Sequence, residues 1–438
     1  MTAATITATC VAPFATVSGC DLQVPLVQGG SCTYANFDYA ASAPALAAVT
    51  DRIAELLPFY ASVHRGAGYA SRISTSAYEE SRTSVSRFVN AADDQVVVFT
   101  RNTTDSLNLL ATAVPGDVVV LDIEHHANLL PWKNSRVVEA ADTVTETIWR
   151  LSVELERAPA ALLAITGASN VTGEVLPIGE LAELAHAHGA RILVDGAQLV
   201  PHRRVDLTAL GVDYLAFSGH KLYAPFGAGV LVGRRDWLDT AEPYLAGGGA
   251  VREVSLDCVE WACAPARHEA GSPNVLGVAA IAAACDALAG FDAEAAARHE
   301  EALCTQLVDG LRDIDGIELL RLWNDSTDSV GIVTFTVEGY EPGQVASYLS
   351  AEHGIGVRDG RFCAHPLLAR VGRPGGAVRA SLGLGSSSDD VARLLSALRS
   401  LVENGPSWVH AKTDGGWSPS PETRPGLAQN DEGASPCV

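Results

Sequence analysis

The sequence predicts an α/β protein with a large domain built on a mostly parallel sheet and a smaller α+β domain at its C-terminal side. From Asn36 onward, short runs of β-branched residues alternate with helical stretches, which is typical of a parallel sheet. Polar residues follow several of these runs, at positions where α/β sheets bind ligands. After about residue 290 the pattern changes to a second, mixed unit.

The elements of the large domain are predicted from hydrophobic periodicity. The strand candidates are Val96–Thr100, Val118–Asp122, Ala161–Thr166, Arg191–Asp195, Tyr214–Ser218 and Gly229–Gly233. The helix candidates include Ala77–Val89, Thr104–Ala113, Ile178–His188 and Leu207–Leu210. In the smaller domain we predict helices at Ala293–Leu311, Gln344–Glu352 and Asp389–Val402, and strands at Gly331–Val337 and within Gly376–Gly383.

Four segments follow from this pattern. Residues 1–34 have no strong period and are expected to be an N-terminal extension, residues 35–290 the large domain, and residues 291–404 the small domain. Residues 405–438 are rich in Gly, Pro, Ser and Asp and lack an apolar period, so we expect a disordered tail.

Composition excludes several classes of function. The formal net charge of −22 over 438 residues disfavours binding to nucleic-acid phosphates. No apolar run reaches the roughly 18 residues of a transmembrane helix. The nine cysteines are scattered and form no C-x-x-C pair, so neither a disulfide framework nor a zinc site is expected. The N-terminus lacks the charged start of a secretory signal, and we expect a cytoplasmic protein with no metal.

Polar residues at four predicted strand ends indicate one pocket. Asp195 and Ser218 each end a strand candidate, while His125 and Asn170 follow two others. Because the carboxyl ends of parallel strands meet at one edge of a sheet, these four side chains are expected to converge.

The segment Tyr214-Leu-Ala-Phe-Ser-Gly-His-Lys221 carries the most information about chemistry. A lysine lies in a turn directly after a strand, with glycines close behind it. This is the kind of place that a Schiff-base lysine needs, because its amine must reach a carbonyl carbon while its neighbours hold a phosphate. A lysine in a loop is otherwise usually solvated.

From about Asn36 to Val402 the sequence resembles the class V aminotransferase family of fold type I pyridoxal-phosphate enzymes, most of all the Suf-type cysteine desulfurases and selenocysteine lyases. The resemblance implies a seven-stranded type of sheet, pyridoxal 5'-phosphate as cofactor, and a homodimer. Its motifs are Val63-His-Arg-Gly66, Arg101-Asn-Thr-Thr104, Glu124-His-His-Ala-Asn128, Ser169-Asn-Val-Thr-Gly173, Val194-Asp-Gly-Ala-Gln198, Ser218-Gly-His-Lys221, Glu269-Ala-Gly-Ser-Pro273 and Arg379-Ala-Ser381.

The resemblance implies a role for each residue that would hold the cofactor. Lys221 would form the Schiff base, and Asp195 would pair with the pyridine nitrogen and keep the ring an electron sink. His125 would stack on the ring and move protons, whereas His126 is expected to be structural. Asn170 and Gln198 would contact the phenolic oxygen of the cofactor. Thr103 or Thr104, together with Ser218 and His220, would contact its phosphate. Ser272 would contact the phosphate of the cofactor bound in the partner subunit.

Two residues of the small domain would act on the substrate. Arg379 resembles the arginine that binds the substrate carboxylate, together with Asn170, and a planar guanidinium suits that task. Cys363, in Gly356-Val-Arg-Asp-Gly-Arg-Phe-Cys363-Ala-His-Pro366, resembles the nucleophile that takes sulfur as a persulfide. Arg358, Arg361 and His365 nearby would favour a thiolate.

The resemblance leads to a cysteine desulfurase that converts L-cysteine to L-alanine, with a small amino acid as substrate and a sulfur-acceptor protein left open as a partner. Departures around the thiol and the substrate leave alternatives. Arg361-Phe362 stands where two histidines or similar polar residues are common, and Gly385-Ser-Ser387 replaces Tyr-Asn-Thr. A C–S β-lyase, an epimerase, an aminotransferase of a secondary-metabolite intermediate, and a non-catalytic binding protein stay open.

Overall fold

The computed structural model describes residues 10–427. In chain order, the elements as far as the middle of the large domain are β1 (Gln23–Pro25), β2 (Ser31–Thr33), β3 (Ala35–Asn36), α1 (Ala47–Leu56), α2 (Tyr69–Phe88), β4 (Gln95–Thr100), α3 (Thr103–Ala113), β5 (Val118–Leu121), α4 (His126–Leu129), β6 (Ser135–Val138) and α5 (Val144–Arg157). They continue with β7 (Leu162–Thr166), α6 (Ile178–Ala187), β8 (Arg191–Asp195), α7 (Leu207–Leu210), β9 (Tyr214–Ser218), β10 (Gly229–Arg234), α8 (Arg235–Thr240), β11 (Val251–Val254), β12 (Val259–Trp261) and α9 (Val275–Gly290).

The C-terminal part of the chain contributes the remaining elements. These are α10 (Ala293–Arg312), β13 (Ile317–Leu319), β14 (Ile332–Val337), α11 (Pro342–His353), β15 (Ile355–Gly356), β16 (Arg358–Gly360), α12 (His365–Arg370), β17 (Ala377–Ser381), α13 (Ser388–Asn404), β18 (His410–Thr413) and β19 (Gly416–Pro419).

A seven-stranded sheet forms the centre of the large domain, in the order β4-β10-β9-β8-β7-β5-β6. Strand β10 runs antiparallel to β4 and β9, and the other described pairings in this sheet are parallel. The predicted α/β class with a mostly parallel sheet is therefore confirmed. Each of the six predicted strands is present, with its ends within one residue of the prediction.

The strands of this sheet have runs of apolar residues in the sequence because both faces of the sheet are buried. Val97 and Phe99 of β4 belong to one hydrophobic cluster, and Val96 and Val98 belong to the cluster on the opposite face. Burial on both faces removes the polar alternation of a half-exposed strand. The seventh strand, β6, was not predicted. It lies at the sheet edge, where Val137 is exposed, and its four residues carry too little pattern.

The small domain has its own four-stranded sheet, in the order β13-β14-β17-β16, and its own hydrophobic cluster. Ala35 and Phe37 belong to this cluster, and β3 pairs in parallel with β15. The start of the predicted large domain thus packs within the small domain.

The expected disorder of residues 405–438 is wrong for the part that the structure describes. Strands β18 and β19 pair antiparallel as a hairpin, with His410 opposite Pro419 and Thr413 opposite Gly416. Polar contacts to the buried Glu352 hold this segment, and such contacts leave no apolar period in a sequence. Residues 428–438 lie outside the described residues, as do residues 1–9 of the predicted N-terminal extension.

Helices α9 and α10 follow one another with two residues between them. No single helix within residues 10–427 is long and apolar enough to cross a membrane. The two helices would satisfy length and composition together, but only as a pair bent by 92°.

Candidate active site

A cavity of about 1250 Å³ opens at the carboxyl ends of the large-domain strands, facing the small domain. It brings together eleven of the twelve residues predicted for the site. The predicted residues that line it are Thr103, Thr104, His125, Asn170, Asp195, Gln198, Ser218, His220, Lys221, Cys363 and Arg379. Ser272 is exposed and does not line the cavity of its own chain.

Lys221 lies in the turn after β9 and lines the cavity together with Asp195 and Arg379. Among the described residues, no side chain or carbonyl forms a hydrogen bond with this amine. Burial lowers the pKa of Lys221 to about 8, although the charge of Asp195 opposes the shift. The fraction of the amine that is neutral and nucleophilic near neutral pH is therefore larger than for an ordinary lysine.

Asp195 is the last residue of β8 and is almost completely buried, with 4% of its surface exposed. The main-chain N–H of Ala197 donates to its Oδ1 at 3.0 Å. Burial raises the pKa of Asp195, while this hydrogen bond and the charge of Lys221 act in the opposite direction. A buried carboxylate of this kind gains most from a cationic or N–H partner supplied by a ligand.

The loop between β4 and α3 forms a polar cradle at one end of the cavity. Asn102 caps α3 by accepting the N–H of Asp105, and the N–H of Thr103 donates to Ser218 Oγ at 2.7 Å. The Thr103 and Ser218 hydroxyls lie 2.6 Å apart. The Thr103 and Ser218 hydroxyls and the positive end of the dipole of an eleven-residue helix favour an anion such as phosphate.

A glycine of β10 allows this cradle to lie against the sheet. A Cβ atom at Gly229 would stand 2.5 Å from Asn102 Cα and 2.7 Å from Asn102 N. These are main-chain atoms, so the loop would have to move to admit any side chain. The cradle therefore depends on a residue 127 positions away in the chain, at the sheet register of β10 with β4.

His125 and Gln198 are each oriented by one main-chain group. His125 Nδ1 accepts the N–H of Ala127 at 3.0 Å, so the neutral ring carries its proton on Nε2. Burial lowers the pKa of His125 to about 4, and the nearby charge of Lys221 acts in the same direction. Gln198 Nε2 donates to the carbonyl of Ala40 at 2.8 Å.

The loop that carries Cys363 is held in an unusual conformation. Phe362 and Cys363 both have φ of +52°, a region that favours glycine. Asn170 Nδ2 donates to the Phe362 carbonyl at 2.8 Å, and the His126 N–H donates to the Cys363 carbonyl at 2.9 Å. Cys363 itself is exposed at the cavity. Strain of this kind persists only where surrounding contacts impose it, which is common at functional sites.

Arg379 lies on β17 with its guanidinium buried between the two domains. Its terminal nitrogens donate to the Asn170 carbonyl at 2.8 Å and to Asp38 Oδ1 at 3.3 Å. Its buried Nε has no hydrogen-bonding partner within residues 10–427. An unpartnered buried N–H is costly, so the arrangement favours an anionic ligand.

Several residues that shape the site were not predicted to do so. Asp38 pairs with Arg379, and Ser42 Oγ lies 2.8 Å from His220 Nδ1. Glu124, buried completely, accepts from Asn128 Nδ2 and from the Thr166 N–H, and burial raises its pKa to about 8. The motif that contains Glu124 could have indicated its place in the site from the sequence. No sequence pattern marks Asp38 or Ser42, whose positions depend on the fold.

The cavity wall also includes parts of the C-terminal hairpin. Lys412, Gly415, Gly416 and Trp417 line it beside Asp359 and Gly360, which lead to the Cys363 loop. Nothing in the sequence pattern of residues 405–427 indicated this position.

Comparison with known proteins assigns a family to this arrangement. The family model described as aminotransferase class-V matches residues 35–394. A cysteine desulfurase of Dickeya dadantii is 39% identical over 384 residues, which cover 84% of this chain and 92% of that protein. A probable cysteine desulfurase of Pseudomonas putida is 39% identical over 356 residues, covering 78% and 87%.

Solved structures give the same picture. The cysteine desulfurase CsdA of Escherichia coli, in an S-sulfonic acid form, matches with a TM-score of 0.75 at 33% identity. The apo cysteine desulfurase of Thermococcus onnurineus NA1 matches with a TM-score of 0.78 at 32% identity. Each match covers 84% of this chain and 95% of the chain in the solved structure.

Proposed function

Because this chain belongs to the aminotransferase class-V family, we propose that it is a pyridoxal-phosphate-dependent cysteine desulfurase. It converts L-cysteine to L-alanine and retains the sulfur on Cys363. The observation that carries the proposal is that Lys221, Asp195 and Cys363 line one cavity, although they come from two domains. The names of the relatives at 39% identity support the same activity.

The residues of the cavity fit pyridoxal phosphate. Lys221 offers an amine without a hydrogen-bonding partner among the described residues, and Asp195 offers a buried carboxylate that can accept a second N–H beside that of Ala197. The Thr103–Ser218 cradle suits the phosphate, with Thr104 and His220 beside it. Asn170, Gln198 and His125 complete the polar wall. When bound, the cofactor supplies an electron sink for negative charge at the substrate α-carbon.

The chain's own residues then bind and orient the substrate. Arg379 holds the amino-acid carboxylate through its unpartnered Nε and the adjacent terminal nitrogen, and Asn170 positions that guanidinium. Lys221 accepts the α-proton, because its lowered pKa raises the fraction of the amine that is neutral near physiological pH. His125, neutral at that pH, offers the Nε2 proton to the same space.

Cys363 takes the sulfur. Its thiolate attacks the sulfur of the bound cysteine, a sulfur–sulfur bond forms and the bond between sulfur and Cβ breaks. The electron pair left on Cβ takes a proton, so that L-cysteine and the enzyme thiol become L-alanine and an enzyme persulfide. The enzyme sulfur is oxidised as the substrate carbon is reduced. We propose the cytoplasm as the compartment, because reducing conditions keep the thiol free.

Product analysis with a matched pair of cysteine variants tests this function. Purified protein is incubated with L-cysteine and a thiol, and both the small-molecule products and the Cys363 peptide are measured by mass spectrometry. We expect alanine and one additional sulfur on Cys363. The control Cys20→Ala, at an exposed cysteine outside the cavity, should behave as the wild type.

Four outcomes would contradict the proposal. Continued catalytic release of alanine by Cys363→Ala would exclude the persulfide route. Pyruvate with ammonia would instead indicate C–S β-lysis, and a keto acid would indicate transamination. Absence of turnover across a broad amino-acid panel would favour a binding protein that retains the fold.

We further propose that two copies of the chain form a homodimer through the side that carries Ser272. Ser272 is exposed outside its own cavity, and the nearby β11–β12 hairpin presents Val254, Leu256 and Val259 to solvent. Exposed apolar groups of this kind commonly mark an interface. Light scattering should give a dimer mass, and mixing Lys221→Ala with Ser272→Ala chains should change cofactor affinity if the site is shared.

A further inference from the structure

The C-terminal hairpin, defined here as residues 410–419, forms part of the wall of the active-site cavity. It lies beyond residues 35–394, which the family model matches. Gly415, Gly416 and Trp417 line the cavity together with Cys363. A segment that is not part of the matched family region thus lines the same cavity as the proposed nucleophile.

A buried carboxylate anchors this hairpin to the small domain. Glu352 of α11 is 4% exposed and accepts the N–H groups of Ser407 and Trp408 at 2.9 and 3.2 Å. His410 bridges Glu352 at 2.9 Å and Ser347 at 2.7 Å, and its side chain is fully buried. Burial alone would raise the pKa of Glu352, but the hydrogen bonds from Ser407 and His410 hold its pKa below the usual range.

Trp417 is fitted against the start of α11, close to the strand that leads to Cys363. A Cβ atom at Gly343 would stand 2.8 Å from Trp417 Cδ1 and 3.2 Å from Asp359 Oδ2. Glu341 accepts from the indole N–H of Trp417 at 3.2 Å and from Lys412 at 2.6 Å. The indole is therefore fixed in place between α11 and β16, and Cys363 follows only three positions after Gly360, the last residue of β16.

We propose that the C-terminal hairpin is a specificity-determining element that restricts the Cys363 thiol to small sulfur acceptors. Small thiols can pass a wall of this kind, whereas a folded protein must fit its surface around the hairpin to reach the sulfur at the cavity. The hairpin selects acceptors by limiting steric access to the thiol, and Trp417 is the bulkiest side chain of the hairpin that lines the cavity. The inference rests on the proposed function, in which Cys363 passes sulfur to an acceptor, but access to Cys363 is measurable without any turnover.

Alkylation of the full-length protein with two reagents measures that access. Iodoacetamide serves as the small reagent and maleimide-linked polyethylene glycol as the bulky one, and the rates are followed on the Cys363 peptide by mass spectrometry. The exposed Cys20, which lies outside the cavity, is the internal reference. In the wild type, the ratio of bulky to small labelling rate should be lower at Cys363 than at Cys20.

Three variants remove the wall to different extents. A chain ending at Asn404 lacks the hairpin, Glu352→Gln weakens its anchor, and Trp417→Ala removes only the indole. In each we expect the bulky-to-small ratio at Cys363 to rise, by roughly tenfold for the truncated chain, the size of effect that one bulky wall group has on discrimination. Trp149→Ala, an exposed tryptophan on α5, is the matched control and should leave the ratio unchanged.

A ratio that stays at the wild-type value in the variants would overturn the proposal. If the truncated chain fails to fold, as judged by circular dichroism, Glu352→Gln and Trp417→Ala decide the question. A second measurement compares turnover of L-cysteine with dithiothreitol and with a thiol-containing protein as acceptors, and the variants should shift preference towards the protein. Failure of the proposed desulfurase function would remove turnover altogether but leave the labelling ratios intact, so the two failures are distinguishable.

Discussion

The main-chain N–H of His126 donates a hydrogen bond to the carbonyl oxygen of Cys363 at 2.9 Å. This contact joins the large domain, where Lys221 lies, to the small-domain loop that carries the thiol. Asn170 makes the adjacent contact by donating to the Phe362 carbonyl. Two hydrogen bonds from the large domain thus hold two residues at positive φ, and they place the thiol at the cavity.

Asn170→Ala should loosen this loop. Loss of one buried hydrogen bond worth about 1 kcal/mol predicts amide exchange in residues 360–366 that is faster by roughly fivefold. Hydrogen–deuterium exchange read by mass spectrometry measures it without reference to activity. Asn108→Ala, at an exposed asparagine on α3, is the control. Unchanged exchange in Asn170→Ala would show that the loop holds its conformation by itself.

Lys221 should combine with pyridoxal phosphate with a pH dependence set by its lowered pKa. Only the neutral amine attacks the aldehyde, so the rate for cofactor-free protein should rise with pH and level off above about 8. Borohydride reduction then traps the adduct for peptide mapping, which is simplified because the chain has only three lysines, Lys133, Lys221 and Lys412. Lys133→Arg should leave the profile unchanged, whereas an adduct that persists in Lys221→Arg would refute the assignment.

Arg379→Lys should weaken substrate binding more than turnover. A lysine cannot present the paired N–H groups of the guanidinium, and the loss of one or two charge-assisted hydrogen bonds should raise KM for L-cysteine by roughly 10- to 100-fold. Steady-state kinetics separates KM from kcat. Arg399→Lys, at an exposed arginine of α13, provides the comparison. Equal effects of the two substitutions would argue against a carboxylate contact.

Asp195→Asn should leave the cofactor attached to Lys221 but slow the reaction. An amide does not carry the negative charge that keeps a pyridine nitrogen protonated, so we expect kcat to fall on the order of 100-fold, as when a preorganised electrostatic partner is lost. Borohydride trapping and kcat are measured on the same preparation. A wild-type kcat with full cofactor occupancy would show that Asp195 has no such contact.

Gly229→Ala should disturb the phosphate cradle from a distance. The new methyl group would collide with the Asn102 main chain, and overpacking of this kind costs about 1–3 kcal/mol of unfolding free energy. Cofactor affinity should fall as well, because the displaced loop carries Thr103. Gly179→Ala on α6 meets its nearest atom at 3.8 Å and should be neutral or stabilising. Denaturant unfolding and cofactor titration of both variants check the contrast.

The helices and strands of the centre could be predicted because their signals are local. Arg191–Asp195 and Tyr214–Ser218 were predicted with the observed ends, since buried apolar runs bounded by polar residues leave little ambiguity. Lys221 and Asp195 were recognisable for the same reason, because each directly follows or ends such a run. The edge strand β6 was missed, as its exposed face removes the apolar run.

The sequence by itself determined the α/β class, the family resemblance and the polar residues at the strand ends, because these are written in residue type and short-range spacing. Only the tertiary structure decided which distant groups hold them. The ion pair of Asp38 with Arg379 spans 341 positions, and Glu352 binds His410 across 58. Such contacts depend on how separate elements pack, and a polar segment such as residues 405–427 folds because a buried carboxylate lies beneath it, which no local pattern in that segment records.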